Sequence, residues 1–250
     1  MIELQKISVA YGRNFVLQDL SVAFERGRVT SIIGRNGCGK STLVKTMAGI
    51  LSPAEGVIKL DGVSIEALGR NKRAQRIAYL AQARSAPDLT VGELVLHGRY
   101  PYLSPLGRYT QADREIANAA MAEMGIEALA ERPLSSLSGG MRQKVYIAMA
   151  LAQDTDYILL DEPATYLDIS NQLELMQILR RLADKGKGIV TVTHDLPMAF
   201  GFSDAIAVLD KGKIALCDTP EAVSGSKLLE SVFGVSLTRL VPSGQYGYHF

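Results

Sequence analysis

The chain has 250 residues, which is enough for one large domain, or a domain with a subdomain, and a substantial buried core. Lysine and arginine number 27 against 26 aspartates and glutamates, so no surplus of positive charge favours nonspecific binding of nucleic acid. The first residues contain no apolar signal segment, and the longest apolar run, residues 145–152, is too short for a membrane span. We therefore expect a chain that does not cross a bilayer. Its two cysteines lie in unrelated contexts, which is typical of a reducing cytoplasm and indicates no zinc site.

Residues 2–9 and 15–24 alternate apolar and polar side chains, as β-strands do, and residues 11–14 can form the turn between them. We therefore predict an antiparallel hairpin at the start of the chain. Tyr11 in the turn can pack against the protein, or it can stack on a purine, because an aromatic face binds a base without reading its hydrogen bonds. The residues alone leave both interpretations open.

A glycine-rich segment lies between a β-branched run at residues 29–33 and a stretch with helical spacing that ends at Gly49. Its glycines let successive backbone N–H groups point inward, and the start of the helix adds partial positive charge. Such a loop binds triphosphate oxygens, with its lysine on the β- and γ-phosphates and its serine on Mg²⁺. A glycine-rich turn with a solvated lysine is the alternative, which the complete match to G-x-x-x-x-G-K-[ST] disfavours. The predicted phosphate loop comprises Gly34, Arg35, Asn36, Gly37, Cys38, Gly39, Lys40 and Ser41, followed by Thr42.

Further strands are predicted at residues 56–62 and 77–80, and the pattern then becomes helical. The helices are predicted at residues 91–98, 112–124 and 140–153. We interpret residues 88–152 as a helical subdomain inserted in an α/β core that comprises residues 1–87 and 153–250.

The third of these helices follows Ser138, Gly139 and Gly140. Ser138 can cap the helix, because its side-chain oxygen can accept a hydrogen bond from a free N–H group of the first turn. The same N–H groups and the helix dipole can also bind an anion, since the two glycines leave the helix start unobstructed. Both interpretations remain open on the residues alone.

An apolar strand at residues 157–160 ends in two carboxylates, Asp161 and Glu162. At the end of a strand beside a phosphate loop, the first carboxylate can hold Mg²⁺ and the second can orient or deprotonate an attacking water. We assign these roles to Asp161 and Glu162 respectively. Asp168 can then cap a helix predicted at residues 169–184.

The next strand, at residues 188–193, leads directly to His194. This histidine can be an ordinary loop residue, or it can contact a γ-phosphate, because it leaves the strand that follows the acidic pair. Two more strands are predicted at residues 205–209 and 213–217, and a helical turn at residues 220–224. The remainder is interpreted as a short tail without a catalytic group.

The phosphate loop, residues 137–143 and the sequence Asp161-Glu162-Pro163 together closely resemble the nucleotide-binding subunit of ATP-binding-cassette (ABC) transporters. The resemblance covers nearly the whole chain. It implies a P-loop NTPase fold with a RecA-like mixed sheet, an N-terminal antiparallel β-subdomain and an inserted α-helical signature subdomain. It also implies hydrolysis of ATP with Mg²⁺.

The resemblance assigns roles that spacing cannot show. Two cassettes are expected to face head to tail, so that each ATP lies between the phosphate loop of one chain and the signature of the other. Tyr11 matches the adenine-stacking aromatic residue, and the in-trans contacts fall on Ser138, Gly139, Gly140, Gln143 and Asp168. The catalytic residues are expected to be Glu162, His194, Lys40 and Gln82, and the Mg²⁺ ligands Ser41, Gln82 and Asp161. One departure is Ala164, at a position where Thr or Ser is common.

Residues 89–101 resemble the corresponding stretch in importers of ferric siderophores, haem and cobalamin. We therefore expect an importer ATPase at the cytoplasmic face of the cell membrane that acts with integral-membrane permease subunits and, indirectly, with a periplasmic or surface substrate-binding protein. A ferric siderophore is the favoured cargo, and cobalamin or haem are the alternatives. The rival functions are a soluble ABC ATPase that acts on nucleic acid or ribosomes, and a small-molecule phosphotransferase. Residues 137–143 are not explained by the phosphotransferase.

Overall fold

The computed structural model describes residues 1–82, 87–104, 107–165, 167–240 and 245–249. Its strands are β1 (Ile2–Tyr11), β2 (Asn14–Phe24), β3 (Val29–Ile33), β4 (Glu55–Leu60), β5 (Val63–Ser64), β6 (Ile77–Leu80), β7 (Tyr157–Asp161), β8 (Gly188–Val192), β9 (Ala205–Asp210), β10 (Lys213–Asp218), β11 (Ser236–Leu240) and β12 (Gln245–His249). Its α-helices are α1 (Lys40–Met47), α2 (Arg70–Ala74), α3 (Val91–Leu96), α4 (Gln111–Glu123), α5 (Gly139–Ala152), α6 (Ile169–Asp184), α7 (Leu196–Phe202), α8 (Pro220–Ser224) and α9 (Leu228–Phe233). A 3-10 helix, His97–Tyr102, continues α3.

The central sheet has six strands in the order β10-β9-β3-β8-β7-β6. Strands β9, β3, β8, β7 and β6 are parallel, and β10 pairs antiparallel with β9 at the edge. Every residue of β3, β7 and β8 is buried, in keeping with short apolar runs that are covered on both faces. The predicted α/β fold with a mixed central sheet is therefore confirmed, and the carboxyl ends of the parallel strands lie along one edge of this sheet.

The second sheet is antiparallel, with the order β2-β1-β4-β5, and it contains the predicted N-terminal hairpin. Two arginines connect it to the central sheet beside the start of β7. Arg26 donates hydrogen bonds to Asp61, which follows β4, at 2.6 Å and to Asp156, which precedes β7, at 2.8 Å. Arg76 binds the same two carboxylates. This charge network ties the two sheets together at the end opposite the strand ends that carry Asp161 and Glu162.

Helices α3, α4 and α5 form the predicted helical segment, and they share an apolar core with β6 and β7. The apolar face of α5 packs into this core: Val145, Ala148 and Ala152 are fully buried, and Met141 and Met149 pack beside them. Residues 88 and 152 stay a prediction as subdomain limits. Among the described residues, no helix is long and apolar enough to span a membrane.

Three helices and a hairpin were missing from the expectations drawn from the sequence. Helix α2 has four polar residues out of five, so its sequence has no apolar periodicity that would indicate a helix. Helix α7 had a readable signal, because Asp195 caps it and Pro197 lies in its first turn. The interpretation of the C-terminal region as a short tail was wrong, since it contains α9 and the hairpin β11–β12.

We expect the buried ion pair between Arg99 and Asp113 to be a main support of the helical segment. Arg99 Nε donates to Asp113 Oδ1 at 3.0 Å, and Nη1 donates to the carbonyl of Ala152 at 3.0 Å. Replacing Arg99 by Met leaves a buried carboxylate without its cation, so the free energy of unfolding should fall by about 3 kcal/mol in chemical denaturation. The control Arg181→Met breaks an exposed pair with Glu123 and should cost less than about 1 kcal/mol. Equal losses in the two variants would contradict this assignment.

Candidate functional site

A cleft of about 570 Å³ opens at the carboxyl edge of the central sheet, where the loops after β3, β6, β7 and β8 converge. It brings together nine of the residues predicted from the sequence and one that was not predicted, Val16 of β2. The lining residues are Val16, Asn36, Gly37, Gly39, Lys40, Ser41, Thr42, Gln82, Glu162 and His194.

The phosphate loop wraps the start of α1 in the predicted strand–loop–helix arrangement. Gly39 has a φ of 108°, and a Cβ atom there would lie 2.8 Å from a methyl group of Leu17, so only glycine fits. Lys40 is buried at the first position of the helix, and its Nζ donates to the carbonyls of Gly34 at 2.7 Å and Arg35 at 3.0 Å. The lysine ammonium is thus fixed at the floor of the cleft, where phosphate oxygens would meet it.

Asp161 lies at the end of β7 beside Ser41 of α1. Burial raises the pKa of Asp161 above its usual value, a hydrogen bond from Ser41 acts in the opposite direction, and the nearby Glu162 charge raises it further. Its Oδ1 is buried and has no hydrogen-bond partner among the described residues. A buried carboxylate oxygen of this kind is costly unless a cation binds it, so Asp161 and the Ser41 hydroxyl fit a hard divalent cation.

Glu162 turns sharply out of β7 into the cleft. Its φ is 52°, which is uncommon for a residue other than glycine and stores local strain. Gln82 Nε2 donates to Glu162 Oε2 at 2.7 Å, and the Thr165 hydroxyl lies 3.4 Å from the same oxygen. His194 Nδ1 is 3.6 Å from that oxygen, and the imidazole is largely exposed. The ends of β6, β7 and β8 therefore place the predicted glutamine, carboxylate and histidine in one group.

Other predicted residues lie outside the lining of this cleft. Tyr11 is half-exposed at the end of β1. Ser138 Oγ accepts a hydrogen bond from the N–H of Met141 and so caps α5, with Gly139 and Gly140 at the exposed side of the helix start. Gln143 is buried, and its Nε2 donates to the carbonyl of Pro163 at 2.5 Å.

Asp168 caps α6, as the sequence predicted. Its Oδ1 accepts hydrogen bonds from the N–H and the side-chain amide of Asn171, both at 2.8 Å, and these bonds hold the pKa of Asp168 below its usual value. Gly34, Arg35 and Cys38 contribute to the loop without lining the cleft. Within one chain, Ser138, Gln143 and Asp168 thus have structural partners of their own.

Two contacts at the cleft were missed by the sequence interpretation. Val16 belongs to an alternating strand whose apolar residues all looked like core, so nothing singled it out. Thr165 lies three residues after Glu162, and its hydroxyl contacts that carboxylate. A Thr or Ser three residues after a strand-end carboxylate is the signal in the sequence that could indicate this contact.

We expect ATP to protect Cys38 from thiol reagents. Its Sγ points back beneath the loop, 2.7 Å from where a Cβ on Gly34 would lie, and burial raises the pKa of the thiol. Alkylation at neutral pH should therefore be slow, and slower still with ATP, which holds the loop closed over Cys38. Mass spectrometry of alkylated peptides measures this, with Cys217, another half-buried thiol, as the internal control. Equal labelling of Cys38 with and without ATP would be the contrary result.

The buried strand, the glycine loop with its lysine and serine, and the acidic pair at a neighbouring strand end define a P-loop nucleotide-binding protein. The family model described as ABC transporter matches residues 17–165. The iron(3+)-hydroxamate import ATP-binding protein FhuC of Bacillus subtilis is 42% identical over 94% of this chain and 88% of its own length. The ferric enterobactin transport ATP-binding protein FepC of Escherichia coli is 40% identical over 92% of this chain and 86% of its own.

Solved structures agree with these matches. The ABC transporter cassette MJ0796, solved as a dimer and, in a post-hydrolysis state, with ADP and phosphate, superimposes with a TM-score of 0.79 at 28% identity. The alignment covers 88% of this chain and 99% of that cassette. The chain therefore belongs to the ABC transporter family, and it is an ATP-binding cassette.

Proposed function

We propose that the chain hydrolyses ATP to drive import of a ferric siderophore through a separate membrane permease. The observation that carries this proposal is the group formed by Glu162, Gln82 and His194 at the rim of the phosphate cleft. A carboxylate held 2.7 Å from a glutamine amide and 3.6 Å from an imidazole is positioned to act on a water beside a bound γ-phosphate.

In this proposal Ser41, Asp161 and Gln82 would hold Mg²⁺, and Asp161 would contribute its buried oxygen, which has no hydrogen-bond partner among the described residues. The cation would neutralise charge on the β- and γ-phosphates. Lys40 binds the same phosphates from the loop, and its ammonium is already fixed by two carbonyls, so little reorganisation is needed.

Glu162 then accepts a proton from the attacking water as the water oxygen bonds to the γ-phosphorus. The bond from that phosphorus to the bridging oxygen breaks, and its electron pair leaves on ADP. His194 Nδ1 lies 3.6 Å from Oε2 of this carboxylate, and the imidazole can donate a hydrogen bond to a γ-phosphate oxygen. The products are ADP, inorganic phosphate and the proton that Glu162 releases to solvent.

We infer that the working unit is a head-to-tail pair of chains. The start of α5 at Ser138 and the Asp168 cap are exposed, and the small residues Gly139 and Gly140 leave the helix N-terminus accessible to a phosphate. Tyr11 is also exposed, at the end of β1, and Val16 of the paired strand β2 lines the cleft, so we assign the stacking of an adenine ring to Tyr11. The dimeric state of the similar cassette MJ0796 supports this arrangement. ATP would then join the two chains because the closed pair binds it more tightly than the open one.

The proposed cargo rests on relatives whose names specify ferric hydroxamate and ferric enterobactin transport, and on residues 89–101. In this stretch Arg99 is buried, whereas Tyr100 beside it is 65% exposed. An exposed aromatic residue on a rigid 3-10 helix suits a protein contact, and we assign it to the permease. The chain would thus work at the cytoplasmic face of the membrane, with a substrate-binding protein acting on the other side.

The test is reconstitution of the chain with its co-purifying permease and substrate-binding protein in liposomes. We expect a ferric siderophore to stimulate ATP turnover, and the variant Tyr100→Ala to lose stimulation while it keeps the turnover of the isolated cassette. The control is Val63→Ala, which trims an exposed apolar side chain on β5, outside residues 89–101. Stimulation by cobalamin or haem instead would overturn the cargo, and purification with RNA and no permease would overturn the transport function.

A further inference from the structure

A second recess, of about 260 Å³, lies directly behind the catalytic group, between the residues that follow β7, helix α6, the end of β8 and helix α7. Its walls are partly apolar, through Pro163, Ala164, Met176 and Met198, and partly polar, through Thr165, Gln172, Thr191 and Thr193. Nothing in the proposed chemistry has used this space so far.

Among the described residues, Glu162 and His194 are the two that line both this recess and the phosphate cleft. They form the partition between the two spaces. His194 Nδ1 lies 3.6 Å from Glu162 Oε2 and the His194 side chain is 67% exposed, so these two side chains separate the two spaces only loosely. Glu162 therefore also borders a separate space that no residue of the phosphate loop lines.

The polar wall suits water. Thr191 is only 2% exposed, and its hydroxyl-bearing side chain lines the recess. The Thr165 hydroxyl lies within reach of Glu162, and Gln172 donates to the carbonyl of Leu167 at 3.0 Å while it faces the same space. A water needs roughly 15 Å³ and two or more polar partners, so the recess can hold several.

We propose that this recess stores and delivers the water that Glu162 activates once a second cassette covers the cleft. This inference rests on the proposed function. A closed pair of chains excludes bulk solvent from the γ-phosphate, yet each hydrolysis consumes one water molecule. Water held in the recess beside Glu162 can reach the γ-phosphate without reopening of the dimer. Glu162 accepts a proton from this water as the water oxygen bonds to the γ-phosphorus.

The experiment fills the recess with larger side chains at two of its lining residues, neither of which lines the phosphate cleft. Met198→Phe enlarges a partly buried side chain of α7, and Thr191→Leu replaces a buried hydroxyl by a larger apolar group. The matched controls are Met198→Leu, which keeps the volume, and Thr191→Ser, which keeps the hydroxyl. Single-turnover quench-flow with saturating Mg-ATP measures the chemical step, and a fluorescent phosphate sensor measures release of the product.

We expect both filled variants to slow the chemical step by about tenfold or more, with the affinity for ATP within about threefold of the parent chain. Both controls should stay close to the parent. A third variant, Thr191→Val, removes the hydroxyl at nearly constant volume and should also slow the chemical step. It keeps the test valid if a filled variant no longer binds ATP.

An unchanged chemical step in the variants that bind ATP would overturn the proposal. A rapid burst of hydrolysis followed by slow phosphate release would also overturn it, because the recess would then be an exit for phosphate. These outcomes are distinct from failure of the proposed function, in which the parent chain itself would show no hydrolysis.

Discussion

Replacing Glu162 by glutamine is expected to lower ATP turnover by about 10²–10⁴-fold while ATP still binds. The amide keeps the shape of the carboxylate but accepts no proton at neutral pH, so the attacking water loses its base. Binding should survive because the phosphates are held by the loop and Lys40, which the change does not touch. Steady-state phosphate release and equilibrium nucleotide binding measure the two effects.

A second consequence of the same substitution is accumulation of an ATP-bound dimer, visible by size-exclusion chromatography. The control is Glu66→Gln, the same chemical change at an exposed residue outside the cleft, which should leave turnover unaltered. Near-normal turnover in Glu162→Gln would rule out Glu162 as the base. The neighbouring side chains of Thr165 and His194 would then be the groups to test.

Replacing Lys40 by alanine is expected to weaken ATP binding by about 10²-fold. The loss follows from removal of a charge-assisted hydrogen bond to phosphate, since a bond of this class contributes about 1.5–3 kcal/mol. Lys40 is held by the carbonyls of Gly34 and Arg35, so its ammonium is placed before the nucleotide arrives. Lys40→Arg should not restore full affinity, because a planar guanidinium does not fit a site built for a point charge.

Titration with a fluorescent ATP analogue measures this loss. The exposed Lys213, on the edge strand β10, provides a control for the change in net charge, and Lys213→Ala should bind with unchanged affinity. Unchanged affinity in Lys40→Ala would mean that nucleotide does not occupy the phosphate loop at all.

Local patterns predicted most of the fold. The buried strands β3, β7 and β8 were readable because they are covered on both faces and so consist of short apolar runs. The caps Ser138 and Asp168 were readable because capping depends on one side chain and its own first turn. Helix α2 and the hairpin β11–β12 could not be predicted, because each element is five residues long and too short to show a regular pattern of apolar residues.

The candidate site also has one part that the sequence predicts and another part that depends on the fold. The phosphate loop and the acidic pair are contiguous in sequence, so spacing identified them. The bond between Gln82 and Glu162 joins residues that are 80 positions apart, and only the neighbouring positions of β6 and β7 in the sheet bring them together. The burial of Gln143 against Pro163 was not predictable either, because it depends on how α5 packs against the loop after β7.

Ala164 gains meaning from the recess behind Glu162. From the sequence it is only a departure, at a position where Thr or Ser is common. In the structure its small side chain lines the recess, so a larger residue there would occupy the space that we assign to water.

The central claim is that Gly34–Ser41 forms half of a nucleotide site and that Ser138 of a second chain completes it. The most direct test mixes two inactive variants, Lys40→Ala, which lacks a working phosphate loop, and Ser138→Arg, which lacks a working signature. A mixed dimer contains one intact site, made of the loop from the Ser138→Arg chain and the signature from the Lys40→Ala chain. The measurement is the nucleotide that stays trapped per dimer with a slowly hydrolysed ATP analogue. We expect no trapped nucleotide for either parent and about one for each mixed dimer. A mixture that traps no more nucleotide than its parents would contradict a site shared between two chains.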